Sequence, residues 1–311
     1  MNCSIIIRAY NEGKHISRLL EGIRQQTLAD AEVILVDSGS TDETVNIAES
    51  YGAKIVHIAQ AEFTFGRSLN YGVREARGEF IVNVSAHCYP VYPDWLEQLL
   101  APFAENDNLA LSYGKQRGGE SNWYSEHQFF RQYFPDHSIA RQGHPYSHNA
   151  NAAIRRSLWE QHPYDEQLTG LEDLAWSSWA MAQGYDIAYV AEAEIIHLHD
   201  ETPAQVQNRY RREAIAMKQI LPESTFSLWN FIRLWLGSTS ADLLQAKREK
   251  VLNAHWRSIF WFRFLQYWGT YQGYHYSGKI DAQLHQAFYY PPGILSEKKP
   301  APRAVKPIDY L

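Results

Sequence analysis

At 311 residues the chain exceeds the ~100 to 200 residues of an ordinary domain but fits one large α/β domain with an appended segment. Its 45% hydrophobic and 21% charged residues are those of a soluble globular protein. A formal net charge of −6 gives no electrostatic reason to expect a nucleic-acid partner, and two cysteines, Cys3 and Cys88, exclude a disulfide framework or cysteine zinc site and suit a reducing compartment. No run approaches the ~20 apolar residues of a membrane span, and Ser4–Ile7 is too short for the apolar core of a signal peptide, so the expected location is cytoplasmic.

Ser4-Ile5-Ile6-Ile7 reads as a first strand, Asn11-Glu12-Gly13 as a turn, and Ile16, Leu19, Leu20 and Ile23 recur at helical spacing. Val33–Val36 repeats the scheme and ends in Asp37-Ser38-Gly39-Ser40-Thr41, where Ser40 or Thr41 suits a helix cap. Lys54–Ile58 is a third strand, a helix opens at Gly66-Arg67-Ser68-Leu69-Asn70, and Phe80–Val84 is a fourth strand that delivers Ser85-Ala86-His87-Cys88. Strands alternating with helices predict an α/β fold, a mainly parallel sheet covered on both faces, whose ligands bind at the carboxyl ends of the strands. The polar clusters 9–12, 37–41 and 85–87 should therefore converge.

After a helix to about Phe103 and a strand near Leu109–Tyr113, residues 117–147 lack periodicity and read as a loop region able to shape an acceptor site. Asn149–Arg156, Gly170-Leu171-Glu172-Asp173 and a helix to about Gly184 follow. Two short strands, Ile187–Val190 and Glu194–Leu198, then end in His197-Leu198-His199-Asp200-Glu201. From Pro203 the pattern is helical, over 203–221 and about 226–250, and residues 255–276 are crowded with aromatics. Trp, Tyr and Arg on amphipathic helices suit peripheral contact with the inner face of a membrane, a homodimer through residues 226–276, or packing back on the catalytic domain. The tail from Pro291 reads as extended or disordered.

Four stretches in this order, Ser4 to Glu12, Val33 to Asp42, Gly66 to Gly72 and Glu172-Asp173, resemble the family 2 inverting glycosyltransferases of the GT-A fold. The resemblance covers about residues 1–215, leaving 216–290 as an aromatic-rich helical extension and 291–311 as a tail. It implies a Rossmann-like sheet and a nucleotide-sugar donor, UDP-, dTDP- or CMP-linked, held by Ala9, Tyr10, Glu12, Asp37, Ser38, Arg67, Asn70, Ser85 and His87. It also implies a catalytic base at Asp173 beside Glu172, and a saccharide or lipid-linked glycan acceptor of the kind used in bacterial surface polysaccharide synthesis.

Where the family carries an Asp-x-Asp metal motif, this chain has Ser85-Ala86-His87. Magnesium prefers hard oxygen ligands whereas imidazole suits manganese or zinc, so one reading puts a divalent ion, manganese if any, on His87 with His197 or His199. The other is metal-free: His87 with Arg209, Arg211 or Arg212 neutralises the departing phosphate, which a CMP-linked donor would demand least. The lost carboxylates also admit a non-catalytic scaffold that binds nucleotide-sugar or glycan. A sugar nucleotidyltransferase is disfavoured, because Arg8-Ala9-Tyr10-Asn11-Glu12 is not a glycine-rich loop.

Overall fold

The computed structural model describes residues 2–280, 285, 288, 289 and 308. Eight strands run in chain order: β1 (Cys3–Ala9), β2 (Glu32–Asp37), β3 (Lys54–His57), β4 (Phe80–Ser85), β5 (Cys88–Pro90), β6 (Leu109–Gly118), β7 (Asn151–Arg155) and β8 (Asp186–His197). They form one sheet in the order β3-β2-β1-β4-β7-β6-β8-β5. β3, β2, β1 and β4 are mutually parallel, as are β6 and β8, while β7 and β5 join antiparallel and make the sheet mixed.

The helices are α1 (Ile16–Arg24), α2 (Thr44–Ser50), α3 (Phe65–Arg74), α4 (Trp95–Leu100), α5 (Pro102–Glu105), α6 (Tyr124–Tyr133), α7 (Arg156–Gln161), α8 (Glu172–Ala182), α9 (Pro203–Ile220), α10 (Leu228–Arg248) and α11 (Leu252–Tyr274). Alternate strand residues serve opposite faces. Cys3, Ile5, Ile7 and Ala9 of β1 pack with Leu19 of α1 and Trp95 of α4, whereas Ile6 packs with Leu69 of α3 and Trp176 of α8. Two covered faces explain why these strands read as unbroken apolar runs rather than alternating ones.

The register brings the polar strand ends together. Ala9 lies opposite Asp37, and Arg8 opposite Ser85. The loops after β1 and β2 are stitched by Asn11 N–H to Ser40 Oγ at 2.9 Å, Thr41 N–H to Asn11 Oδ1 at 2.8 Å and Glu12 N–H to Thr44 Oγ1 at 2.7 Å. Asn11 takes the left-handed conformation at φ 53, which asparagine tolerates better than most residues.

Two expectations change. The aperiodic region 117–147 contains α6, and β6 continues through Gly118. The two strands expected over 187–198 are one strand, β8, which pairs with β6 across irregularities in register. α9 (Pro203–Ile220) lies along α11. The tail from Pro291 lies outside the described residues except for position 308.

Candidate active site

A cleft of about 960 Å³ opens at the carboxyl ends of β1, β2 and β4, within the size of small-molecule sites. Of the residues expected for the donor, Ala9, Tyr10, Glu12, Ser38, Ser85 and His87 line it. Three do not. Asp37 is buried and accepts from the Gly39 and Ser40 amides at 3.0 and 3.1 Å, so it shapes the turn that presents Ser38. Arg67 pairs with Glu166 at 2.8 Å, and buried Asn70 binds Tyr164 O, Glu166 and Trp159. Arg67 and Asn70 anchor the segment around Glu166 and lie outside the cleft lining.

Glu172 and Asp173 both line the cleft from the first turn of α8. Leu171 precedes them at φ 58, a conformation costly for a branched side chain and one that turns the helix start into the site. Asp173 accepts from the Asn149 and Leu174 amides at 3.0 and 2.8 Å. Glu172 pairs with Arg8 at 3.2 Å and accepts from Asn149 Nδ2 at 3.3 Å. Burial is the leading influence on both carboxyls and pushes them above the ordinary carboxylate range, against the Asn149 amide at Asp173 and the Arg8 guanidinium at Glu172.

The histidines gather as the sequence suggests, though by a different route. β8 ends at His197, so His199 is not its strand neighbour on one face; the chain turns instead, and the two rings meet edge to face at 4.2 Å. β5 pairs Cys88 with His197, and Leu198 N–H bonds His87 O at 3.2 Å, which lays the His87 ring on His197 at 5.2 Å. One ring nitrogen from each of His87, His197 and His199 lies within 4.8 Å of the others.

Each Nδ1 has an oxygen partner at 2.8 Å: Glu12 Oε1 for His87, Gln116 Oε1 for His197 and Glu126 Oε1 for His199. A carboxylate only accepts, so Nδ1 carries the proton on His87 and His199, and in the neutral ring the Nε2 lone pair is left for a ligand; burial lowers His87 but Glu12 raises it above its ordinary value, so a metal there must displace a proton. Oxygen partners on the far nitrogen are the usual support of metal-bound histidine. Burial drives His197 well below its ordinary value, and neighbouring His199, His87 and His148 drive it further, which keeps it neutral as a metal requires. The donor set therefore fits a nitrogen-preferring divalent ion and fits magnesium poorly.

Of the arginines expected beside the phosphate, Arg209 and Arg212 line the cleft and Arg211 does not; Arg8, Glu126, Tyr146 and His148 line it without having been expected there. Burial would raise the Glu126 carboxyl, but His199 and Arg209 hold it down to about 2. Arg209 bridges it to Glu201 at 2.6 Å on each side. Arg8 and Arg212 both stack on Phe65, at 4.6 and 4.5 Å. Arg212 Nη1 donates to Phe288 O, while its buried Nε meets no acceptor among the described residues. His148, pushed to about 3 by burial and His199, completes this wall with Tyr146. Gln116 and Glu126 come from β6 and α6, distant in sequence from every motif, and neither carried a local signal. Cys88 is fully buried, and burial raises its thiol well above the ordinary value, so it belongs to the core.

The Glycosyl transferase family 2 model matches residues 4–162. The O-antigen chain rhamnosyltransferase WbaN of Salmonella anatum is 29% identical over 219 residues, 67% of this chain and 69% of that one. The poly(ribitol-phosphate) beta-N-acetylglucosaminyltransferase TarS of Staphylococcus aureus is 22% identical over 260 residues, 81% of this chain and 43% of that one. Among solved structures, the mannosyltransferase PcManGT from Pyrobaculum calidifontis in complex with GDP-Man and Mn2+ superposes with a TM-score of 0.59 at 18% identity, covering 86% of this chain and 84% of that one. S. aureus TarS 1-349 in complex with UDP gives 0.54 at 20% identity, covering 91% and 95%. The family model spans half of this chain, and the chain belongs to glycosyl transferase family 2 and is a glycosyltransferase.

Proposed function

We propose that this enzyme transfers a hexose or related sugar, with inversion at the anomeric carbon, from a nucleotide-sugar to a saccharide or lipid-linked saccharide during bacterial surface polysaccharide assembly. The observation that carries the reading is the placing of Glu172-Asp173 and of the histidine cluster's His87 and His199 on one cleft at the parallel strand ends. The O-antigen and poly(ribitol-phosphate) relatives support the surface glycan. Neighbours complexed with UDP and GDP-mannose favour a nucleoside diphosphate donor, UDP- or dTDP-linked, over a CMP-linked one.

In this reading Ala9, Tyr10, Glu12 and Ser38 hold base and ribose, and Ser85 with His87 flanks the phosphates. Asp173 takes the proton of the acceptor hydroxyl as its oxygen attacks the anomeric carbon; the bond to the phosphate oxygen breaks and its electron pair leaves with the nucleotide. Burial, which raises Asp173, makes it a stronger base for that proton. Arg212 offers its unengaged Nε to the developing phosphate charge, with Arg8 also stacked on Phe65. His87, His197 and His199 would hold a manganese or zinc ion, which would supply further positive charge beside that leaving group.

The test is a thermal-shift series with UDP, dTDP, GDP, CDP and CMP, each with Mn²⁺, Mg²⁺ or chelator. A diphosphate nucleotide should stabilise the chain with Mn²⁺, and the shift should shrink in chelator and in His197→Ala. A shift unchanged by chelator favours the metal-free reading with His87 and Arg212, and no shift with any nucleotide removes the donor assignment.

A further inference from the structure

From α10 and the first half of α11 we infer a docking face for an anionic lipid surface. This goes beyond the transfer reaction and does not depend on it. The two helices form an antiparallel hairpin: Phe231 meets Trp268, Trp235 meets Phe260, and Asp242 meets Arg263. One side of the hairpin is buried through Phe231, Ala246, Ile259 and Phe262. The other side is open. Of ten large hydrophobic side chains exposed among the described residues, seven lie between 228 and 261, including Trp229 at 68%, Leu236 at 52% and Trp261 at 54%. On α10 the exposed positions Trp229, Arg233, Leu236, Ser240, Leu244 and Lys247 follow one another at three and four residues, a single stripe; Trp256, Phe260 and Trp261 continue the face on α11. Concentrating apolar surface in one patch marks a contact site, whereas exposed apolar residues scattered singly do not.

Charge identifies the occupant. Between residues 226 and 262 there are five Lys or Arg residues, Arg233, Lys247, Arg248, Lys250 and Arg257, and all five are exposed. Of the two acids of the same stretch, Asp242 is buried and pairs with Arg263 inside the hairpin, and partly exposed Glu249 is neutralised by Arg131 and accepts from the Tyr124 hydroxyl. A second copy of the chain set symmetrically on this face would bring two cationic patches together, which disfavours a homodimer here. An anionic bilayer surface satisfies both features at once: acyl boundary for Trp and Leu, and lipid phosphates for Lys and Arg. Among the described residues no helix is long and apolar enough to cross a membrane, so the contact lies in the plane of the surface. The bound hairpin would brace the cleft wall directly, because α11 packs on α9, which lines the cleft with Arg209 and Arg212.

The experiment is co-sedimentation of the full chain with phosphatidylcholine vesicles with and without phosphatidylglycerol, without donor, at low and high salt. Binding should require phosphatidylglycerol and fall with salt. Arg233→Gln and Arg257→Gln should each weaken it about fivefold, and Trp229→Ser, Leu236→Ser and Trp261→Ser combined should abolish it. All of these side chains are exposed, so unchanged melting temperatures would show the variants folded. No binding to anionic vesicles overturns the inference, and so does a wild-type dimer in sedimentation velocity that the triple substitution converts to monomer. Donor consumption measured without lipid keeps the two questions apart: it can survive a failed vesicle assay, and vesicle binding can survive a failed turnover assay.

Discussion

Asp173 and Glu172 are adjacent, both buried and differently held. Backbone amides fix both oxygens of Asp173, whereas Glu172 leans on Arg8 and Asn149. Asp173→Asn should lower donor-dependent transfer at least about 100-fold, the usual contribution of a positioned base. A turnover assay with unchanged rate would remove Asp173 from that role. Glu172→Gln tests positioning through stability. Its folded carboxyl is raised, so the native state holds its proton more tightly than the unfolded chain does. The stability this group contributes is full below the ordinary value of 4.5 and is lost as pH rises through the raised folded value. Glutamine keeps the neutral form at every pH. The variant should therefore melt above the parent at neutral pH, with the gap closing as pH falls toward 4.5. Metal uptake gives a third residue-level outcome: Gln116→Leu removes the oxygen that orients His197, and should weaken Mn²⁺ or Zn²⁺ binding by about 10- to 100-fold in calorimetry.

Among the elements, α9 and α11 touch at two glycines one helical turn apart. A Cβ on Gly269 would stand 2.3 Å from Gln207 O, and one on Gly273 2.4 Å from Arg211 O, both backbone atoms that cannot step aside. Gly269→Val should therefore cost about 1–3 kcal/mol, read as a lower melting temperature, and should weaken donor binding by shifting the helix that carries Arg209 and Arg212. What the sequence reveals about elements follows from how locally each is encoded. β1, β2 and β4 are apolar runs flanked by turn residues, and α1 and α3 bury one stripe each, so they were legible. α6 was not, because its apolar residues are the aromatics Tyr124, Phe129, Phe130 and Tyr133 set among His, Gln and Arg. The site divides the same way. Ala9, Glu12, Ser38, Asp173 and the histidines stand in or beside motifs, but Gln116 and Glu126 reach His197 and His199 only through tertiary packing. The carboxamide of Asn70 and the guanidinium of Arg67 both bind Glu166, which no local pattern ties to them.

For the molecule as a whole, the division between a catalytic part and a helical part can be tested by heat. α9 belongs to both: its cleft side carries Arg209 and Arg212, and its other side is covered by α11. α11 in turn meets the catalytic part through Arg263, whose guanidinium donates to Ser125 O of α6 while paired with Asp242 of α10. Breaking such a buried pair leaves an uncompensated charge, so the helices cannot peel away without exposing Arg263, Asp242 and the apolar surface around Phe262. Unfolding should therefore occur in one calorimetric transition whose van't Hoff and calorimetric enthalpies agree. Two resolved peaks, with nucleotide shifting only one of them, would instead show that α10 and α11 unfold on their own. Arg263→Met with Asp242→Leu offers the sharper form of the test: removing both charges together should spare the single transition, whereas Asp242→Leu alone should destabilise the chain by about 3–5 kcal/mol and drag donor binding down with it.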